Sequence, residues 1–214
     1  MTLCKALYDN IFVDCDNLPP DIVDGTVYLI NYDDILYVEF DGHPPSMIRT
    51  VGEHKDVKQL YLYPKKYAYT IQGKDFSVDP GYYFFERLYE DVYAHFIDIK
   101  IFDNSAETKL GLEKLPKGKY VILITYKRAG KTYVVIYGLH SGLVMNAGVR
   151  SIVNDDGVAY YVISFETDVE QSEPHMPHKF LGSIGWLMAD HWILWDGWWD
   201  DSGIWIDSET WNEG

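Results

Sequence analysis

The densest set of side chains able to do chemistry lies at the end of the chain. Residues 180–214 read FLGSIGWLMADHWILWDGWWDDSGIWIDSETWNEG. They hold every tryptophan of the protein, Trp186, Trp192, Trp195, Trp198, Trp199, Trp205 and Trp211. They also hold the acids Asp190, Asp196, Asp200, Asp201, Asp207, Glu209 and Glu213, and no Lys or Arg follows Lys179. Each indole ring carries a large apolar area with one polar edge. A short segment cannot hide so many rings by itself. Two chemistries fit. The rings Trp192, Trp195, Trp198, Trp199, Trp205 and Trp211 could bury against neighbouring copies of the chain, since symmetric homo-oligomers are common. Alternatively they could stack on sugar faces while adjacent Asp carboxylates accept hydroxyl hydrogen bonds. The first reading asks for less and is preferred.

The same acids raise the question of a metal. Calcium prefers several oxygen ligands, and Asp196, Asp200, Asp201 and Asp207, with Ser202 and Ser208, would supply them. Their order does not follow the alternating acids and central glycine of an EF-hand loop. Calcium is thus the one cofactor these residues could take, and their plainer role is to keep a Trp-rich segment in solution. His175 and His178 flank Pro177, and a zinc site could use them with the distant Cys4 and Cys15. Linker histidines of this kind are expected to be solvated.

Catalytic spacing is sought without success. Gly138-Leu139-His140-Ser141-Gly142 places Ser fourth, whereas a nucleophile elbow needs Gly-x-Ser-x-Gly between strand and helix. A turn between strands is expected there. Glu166 and Asp168 stand two apart at a strand end, whereas a glycosidase pair needs two carboxyls facing each other across a cleft. No phosphate-binding or dinucleotide glycine pattern occurs. The expectation is a non-enzymatic protein.

Charge excludes further classes. The formal net charge is −15, and residues 151–214 account for most of it, with thirteen acids against Lys179 alone. Phosphate backbones need clustered positive charge, so nucleic acid is not an expected partner. An acidic inhibitor that mimics nucleic acid is a third reading, weakened because the acids gather at one end. The N-terminus, MTLCKALYDNIFVDCDN, has no signal-peptide pattern. No apolar run reaches the ~20 residues that span a bilayer. The two cysteines are too few for a disulfide framework.

Around these residues the elements read mainly as strands. Tyr alone occurs 18 times, and aromatic and β-branched residues favour pleated surfaces. Val27 to Ile30 and Ile35 to Phe40 predict a hairpin about Asn31 to Asp34. Tyr61, Tyr63, Tyr67 and Tyr69 alternate around Pro64-Lys65-Lys66. They are expected to line a half-buried sheet face, or alternatively an exposed aromatic-basic surface. Asp79 as N-cap, Pro80 at the first position and Phe85, Leu88, Tyr89, Val92 and Phe96 at helical spacing predict one helix over 80–96. His95 beside that stripe is expected to be a tolerated core neighbour. Strands follow at 97–102, 119–127, 132–138, 143–147, 149–153 and 158–167, with a tight turn at Asn154 to Gly157. In the tail, GWWDDS, GIWIDS and ETWNEG repeat with Trp third and an acid fifth. Spacing of six is even, so these rings would share a strand face.

The stretch LPPDIVDGTVYLINYDDILYVEFDG, residues 18–42, resembles short hairpin modules of bacteriophage fibre and other virion surface proteins. That resemblance implies a virion location after synthesis in the host cytoplasm. It implies, as partners, further copies of the chain, other virion proteins or a cell-surface glycan.

The expected architecture is therefore mainly β, an antiparallel sandwich or small barrel with one helix at about 80–96 and a Trp-rich C-terminal strand-turn segment. Its parts are 1–102, a β-rich section with the helix; 103–167, an antiparallel meander; 168–179, a linker; and 180–214, the acidic tail. The expected function is a virion surface or fibre-like structural or attachment protein that assembles through its C-terminal segment. The alternative is a carbohydrate-binding or adhesin module.

Overall fold

A computed structural model describes residues 22–49, 51–72, 77–87, 90–102, 105–128, 130–153, 159–168 and 171–188. The chain there is mainly β, an 11-stranded mixed sheet. Its strands are β1 (Ile22–Asn31), β2 (Ile35–Phe40), β3 (Val57–Leu62), β4 (Tyr69–Gln72), β5 (Val78–Arg87), β6 (Glu90–Ile101), β7 (Lys119–Arg128), β8 (Lys131–Tyr137), β9 (Leu143–Val153), β10 (Ala159–Thr167) and β11 (His178–Phe180). Neighbours run β2-β3-β11-β8-β7-β9-β10-β6-β5, with β1 on the free flank of β7 and β4 beyond β1. Every pairing is antiparallel except the short join of β11 to β3.

β7 is the strand around which the sheet folds. Its sequence, KYVILITYKR, is a nearly unbroken apolar run, the pattern of a strand covered on both faces. Tyr120, Ile122 and Ile124 enter one core with Val27, Leu29, Ile97, Ile99, Ile163 and Phe165. Val121 and Leu123 enter a second core with Ile30, Val38, Phe40, Leu60, Ile136 and Phe180. Strands β6 and β10 thus close one face, and β2, β3 and β11 close the other. A fully buried aliphatic side chain contributes roughly 1.5–3 kcal/mol over an exposed one, so alternation along this one strand ties both layers together.

The expected helix over 80–96 is replaced by the antiparallel pair β5 and β6, in register from Val78↔Ile99 to Arg87↔Glu90. Tyr82, Tyr83, Phe84 and Phe85 form an aromatic run that suits a pleated surface. Pro80 lies on a strand at the end of the sheet path, where its missing N–H breaks no ladder. Gly81 pairs with Phe96, whose ring occupies the space a Cβ would need. The helix that does exist, α1 (Ala106–Leu112), lies in the stretch expected to be a polar boundary. Ser105 caps it, its hydroxyl accepting from the Thr108 N–H at 3.2 Å, and Leu112 drops into the first core.

The hairpin expected over residues 27–40 is an arch. Both strands are present, but β1 pairs with β7 and β4 while β2 pairs with β3. A 3-10 turn over Tyr32–Asp34 joins them. Asn31 Nδ2 donates to Asp34 Oδ2 at 2.8 Å, and the Asp34 carbonyl accepts from the Tyr63 N–H at 2.9 Å. The turn delivers Ile35, Val38 and Phe40 to the second core, away from the first, where Val27 and Leu29 lie.

The strands expected between 119 and 167 are present, with 143–147 and 149–153 joined as the one strand β9, and the tight turn expected at 154–157 lies outside the described residues. β7 pairs with β8 and β9 with β10, whereas residues 138–142 form a corner rather than a hairpin. Past it, β9 rejoins β7 at Lys119↔Val144 and Tyr120↔Leu143. Residues 171–180, within and just past the stretch expected to be a linker, enter the sheet. Glu173 bridges Tyr93 through both backbone groups at 2.9 Å, and β11 bridges β8 to β3.

Candidate functional site

Three constellations come together in this fold. The first lies behind the corner. Gly138 and Gly142 both take positive φ, +68° and +76°, and the Gly142 N–H donates to the Gly138 carbonyl at 3.0 Å. The turn aims successive amides inward, a geometry that binds anions. The anion is the side chain of Glu173, which is 1% exposed. Its Oε2 accepts from the His140 N–H at 3.0 Å, and its Oε1 accepts from the Ser141 N–H at 2.8 Å and the Ser141 hydroxyl at 2.7 Å.

His95 is fully buried beside it. Its Nδ1 accepts from the Gly138 N–H at 3.1 Å. Its Nε2 must therefore carry the proton, which it donates to the His175 carbonyl at 3.0 Å. Its backbone exchanges bonds with Thr167 Oγ1, at 2.9 and 3.3 Å. A second ring proton would point at an N–H. Burial pushes this imidazole below its ordinary range, against the opposing pull of Glu173 and the His175 carbonyl. Ser141 is buried with its hydroxyl committed to Glu173, so Gly138 to Gly142 is a turn, as its glycines lead one to expect.

The second constellation sits at the β3-β11 join. His54 and His178 stack with centroids 4.7 Å apart and planes 11° apart. His175 stands perpendicular to both, at 6.1 and 5.8 Å. His175 Nε2 bonds the Val51 carbonyl at 2.8 Å, and His178 Nδ1 bonds the Lys55 carbonyl at 2.7 Å. His54 Nε2 lies 3.4 Å from the Pro177 carbonyl. Carbonyls only accept, so each of these nitrogens carries its ring's proton. Burial pushes His178 down to about 4; the Lys55 carbonyl and Glu173 oppose this, and the neighbouring rings of His54 and His175 add to it.

The third is the rim of hairpin β5-β6. Tyr82, Tyr83 and Phe84 are consecutive and 46%, 49% and 54% exposed. Tyr82 and Phe84 contact the Tyr93 ring on one face, and Tyr83 contacts Phe85 and Phe96 on the other. The Tyr83 hydroxyl donates to Glu166 Oε1 at 2.9 Å, which raises its pKa. Asn146 Nδ2 donates to Glu166 Oε2 at 2.5 Å. Glu166 is thus joined to a ring and an amide.

Of the tyrosines expected to line a half-buried sheet face or, alternatively, an exposed aromatic-basic surface, Tyr61 is half-buried, and Tyr63, Tyr67 and Tyr69 are exposed. Tyr61 lies on β3 and donates to Glu39 Oε2 at 2.6 Å; burial and that bond push it up to about 12. Tyr69 lies on β4 against β1, and Tyr63 and Tyr67 lie in the connection. Three of the nearby cations are paired, Lys55 with Glu53 at 2.9 Å, Lys58 with Glu39 at 2.5 Å and Lys66 with Asp34 at 3.0 Å.

Trp192, Trp195, Trp198, Trp199, Trp205 and Trp211, and the calcium candidates Asp196, Asp200, Asp201 and Asp207, lie outside the described residues. Trp186 is within them, 46% exposed on a 3-10 turn over Ile184–Leu187. That turn is anchored by buried Leu187, whose carbonyl accepts from the Ala68 N–H at 2.7 Å. Among the described residues, no group of three His, Cys, Asp or Glu is placed to hold a metal ion. Likewise no helix there is long and apolar enough to cross a membrane.

Sequence reasoning missed Glu173 and the aromatic rim. A turn rich in backbone amides at Gly138 to Gly142 was the available signal for a buried carboxylate, and the run Tyr82 to Phe85 was the signal for the rim. No protein-family model matches the chain, and neither a curated protein nor a solved structure matches it, which leaves these three constellations to be read from their own chemistry.

Proposed function

We propose that this is a non-enzymatic structural protein that associates with copies of itself through the edge of β5. The supporting observation is that β5, hydrogen-bonded among the described residues only to β6, carries three consecutive half-exposed rings. An open edge presents unpaired N–H and C=O groups that another strand can meet. A two-fold axis lets the same edge meet itself. Charge favours this site. The segment VDPGYYFFER holds two acids and one arginine in a chain of net charge −15, so like-charge repulsion between copies is small there. The buried groups of the corner are all engaged in holding the fold, which agrees with a structural role. A place on a virion surface, implied by the resemblance of residues 18–42, is the finer form of this reading. The arch found there adds nothing to it.

Light scattering with size separation tests the proposal. The full chain is expected at a multiple of its 24.8 kDa mass, and Phe84→Asp is expected to shift it to that mass. A full chain that is monomeric at every concentration would refute it.

Carbohydrate binding is the second reading. It is favoured by Tyr83, Glu166 and Asn146, an aromatic ring beside a carboxylate and an amide. A glycan array on the full chain and on Tyr83→Ala separates the two. Glycan binding by a chain that runs at its monomer mass, lost in Tyr83→Ala, would replace the first reading with the second.

A further inference from the structure

We propose that His54, His175 and His178 form an acid-sensitive latch that closes the join between β3 and β11 at neutral pH and opens it when the rings gain protons. The three rings bridge the same two segments, 51–55 and 175–178, which lie more than a hundred residues apart in sequence. His175 and His178 reach from the later segment to the Val51 and Lys55 carbonyls, separated by 124 and 123 residues. His54 reaches back to Pro177, also across 123 residues. Each neutral ring donates its single proton to the opposite segment. The latch is therefore complete when every ring is neutral.

A further proton changes two things. It puts a second N–H on a ring, and on His178 that N–H would be buried, since the residue is 3% exposed. It also places positive charges on rings whose centroids are 4.7 to 6.1 Å apart. Like charges at that separation disfavour each other, most strongly at the buried His178 and least at the exposed His54.

The surroundings offer little compensation. From β2, the neutral ring edge of Phe40 meets His178. From the loop, Glu53 is paired with Lys55 and lies near His43, while Asp56 and Asp41 meet through their backbones. From the later segment, Lys179 follows His178 on the strand and lies on its opposite, exposed face. Behind the cluster, Glu173 attracts a proton on His178, but its carboxylate already accepts from His140 and Ser141. His95 lies beyond, bonded to the His175 carbonyl.

The join is the weak seam of the sheet. It has one register pair, Phe180↔Val57, and one further bond from the Leu181 N–H to the Val57 carbonyl at 2.8 Å. Upstream, Arg49 holds the chain by its bonds to the Tyr32 and Ile35 carbonyls at 2.9 and 3.1 Å. Opening is thereby confined to about residues 51–57. Histidine is the side chain whose charge changes in the mildly acidic range, so this seam is where mild acid acts.

Amide hydrogen exchange on the full chain tests the latch. Protection of the Leu181 amide, whose N–H crosses the join, is expected to fall at least tenfold between pH 7 and pH 5, relative to β7 amides, an order-of-magnitude figure for one unit of linked pKa shift. The variant His54→Gln, His175→Gln, His178→Asn keeps an N–H donor at each bonding nitrogen without a titrating ring. Its protection is expected to be independent of pH. Loss of protection that persists in this variant, or its absence from the natural chain, would overturn the proposal. NMR titration of the natural chain supplies a second reading that needs no variant. Interdependent curves for the three rings support the latch, and three independent single-proton curves overturn it. Failure here would leave the mass measured at pH 7 unchanged, so the latch and the self-association are judged separately.

Discussion

Replacing Glu173 with Ala should be among the most damaging single changes outside the apolar cores. Its carboxylate accepts from two backbone N–H groups and one hydroxyl, at 3.0, 2.8 and 2.7 Å. The change leaves the His140 and Ser141 N–H groups without an acceptor, while the Ser141 hydroxyl can rotate. Each orphaned buried donor costs about 1–3 kcal/mol, so the loss is roughly 2–6 kcal/mol. That is a large part of the ~5–15 kcal/mol that stabilises a typical domain. For a chain of this size it lowers the melting temperature by roughly 4–24 °C. Glu173→Gln should fall between the two, because one amide oxygen can still serve Ser141 while the NH2 group faces a donor. Calorimetry at pH 7 on the three proteins measures the order. A Glu173→Ala melting temperature equal to that of the natural chain would mean that the corner's amides do not depend on this carboxylate.

Other outcomes follow from the same structure. Ile122 is fully buried in the first core, so Ile122→Ala should cost about 2–5 kcal/mol by chemical denaturation; a loss near zero would contradict the two-faced burial of β7. His178 sits at about 4 in the fold, below the ordinary histidine value of 6.5. The unfolded chain therefore binds the proton first, and stability falls as pH drops from about 6.5 to 4 and levels off below. The shift corresponds to about 3 kcal/mol. His178→Asn should lack that share of the acid sensitivity, and melting curves for both proteins over this range check it. An identical pH profile for the two would refute the assignment.

The fold was legible where local pattern and long-range pairing agree. The apolar run of β7 announces burial on both faces, and the alternating residues of β10 announce a strand with two distinct sides. Residues 80–96 misled for a physical reason. Phe85 and Val92 are seven apart, which is two helical turns and also the separation of a directly opposed pair in this hairpin. The aromatic run, readable in the sequence, and Gly81 under Phe96, a property of the pairing, resolve the ambiguity. The arch at Tyr32–Asp34 shows the converse. Its turn residues were readable, but which strand lies beside β1 depends on β7, nearly a hundred residues later. The histidine cluster was half legible. His175 and His178 stood out by spacing, while nothing near His54 in sequence points to them. Glu173, within QSEPH, has the local look of a solvated residue. Only its backbone bridge to Tyr93 turns its side chain into the corner.

The central claim is that the open edge of β5 meets a second copy, and the amides of that edge report on it most directly. The Lys100 N–H donates to the Ser77 carbonyl at 2.7 Å, and bonding alternates along an antiparallel pair. Odd-numbered residues of β5 therefore face β6, and the N–H groups of Tyr82 and Phe84 point away from it. Residue-resolved hydrogen exchange at low and high protein concentration measures those two amides. Slow exchange that appears only at high concentration, and is abolished by Phe84→Asp, is the predicted result. Fast exchange of both amides at every concentration would contradict the account.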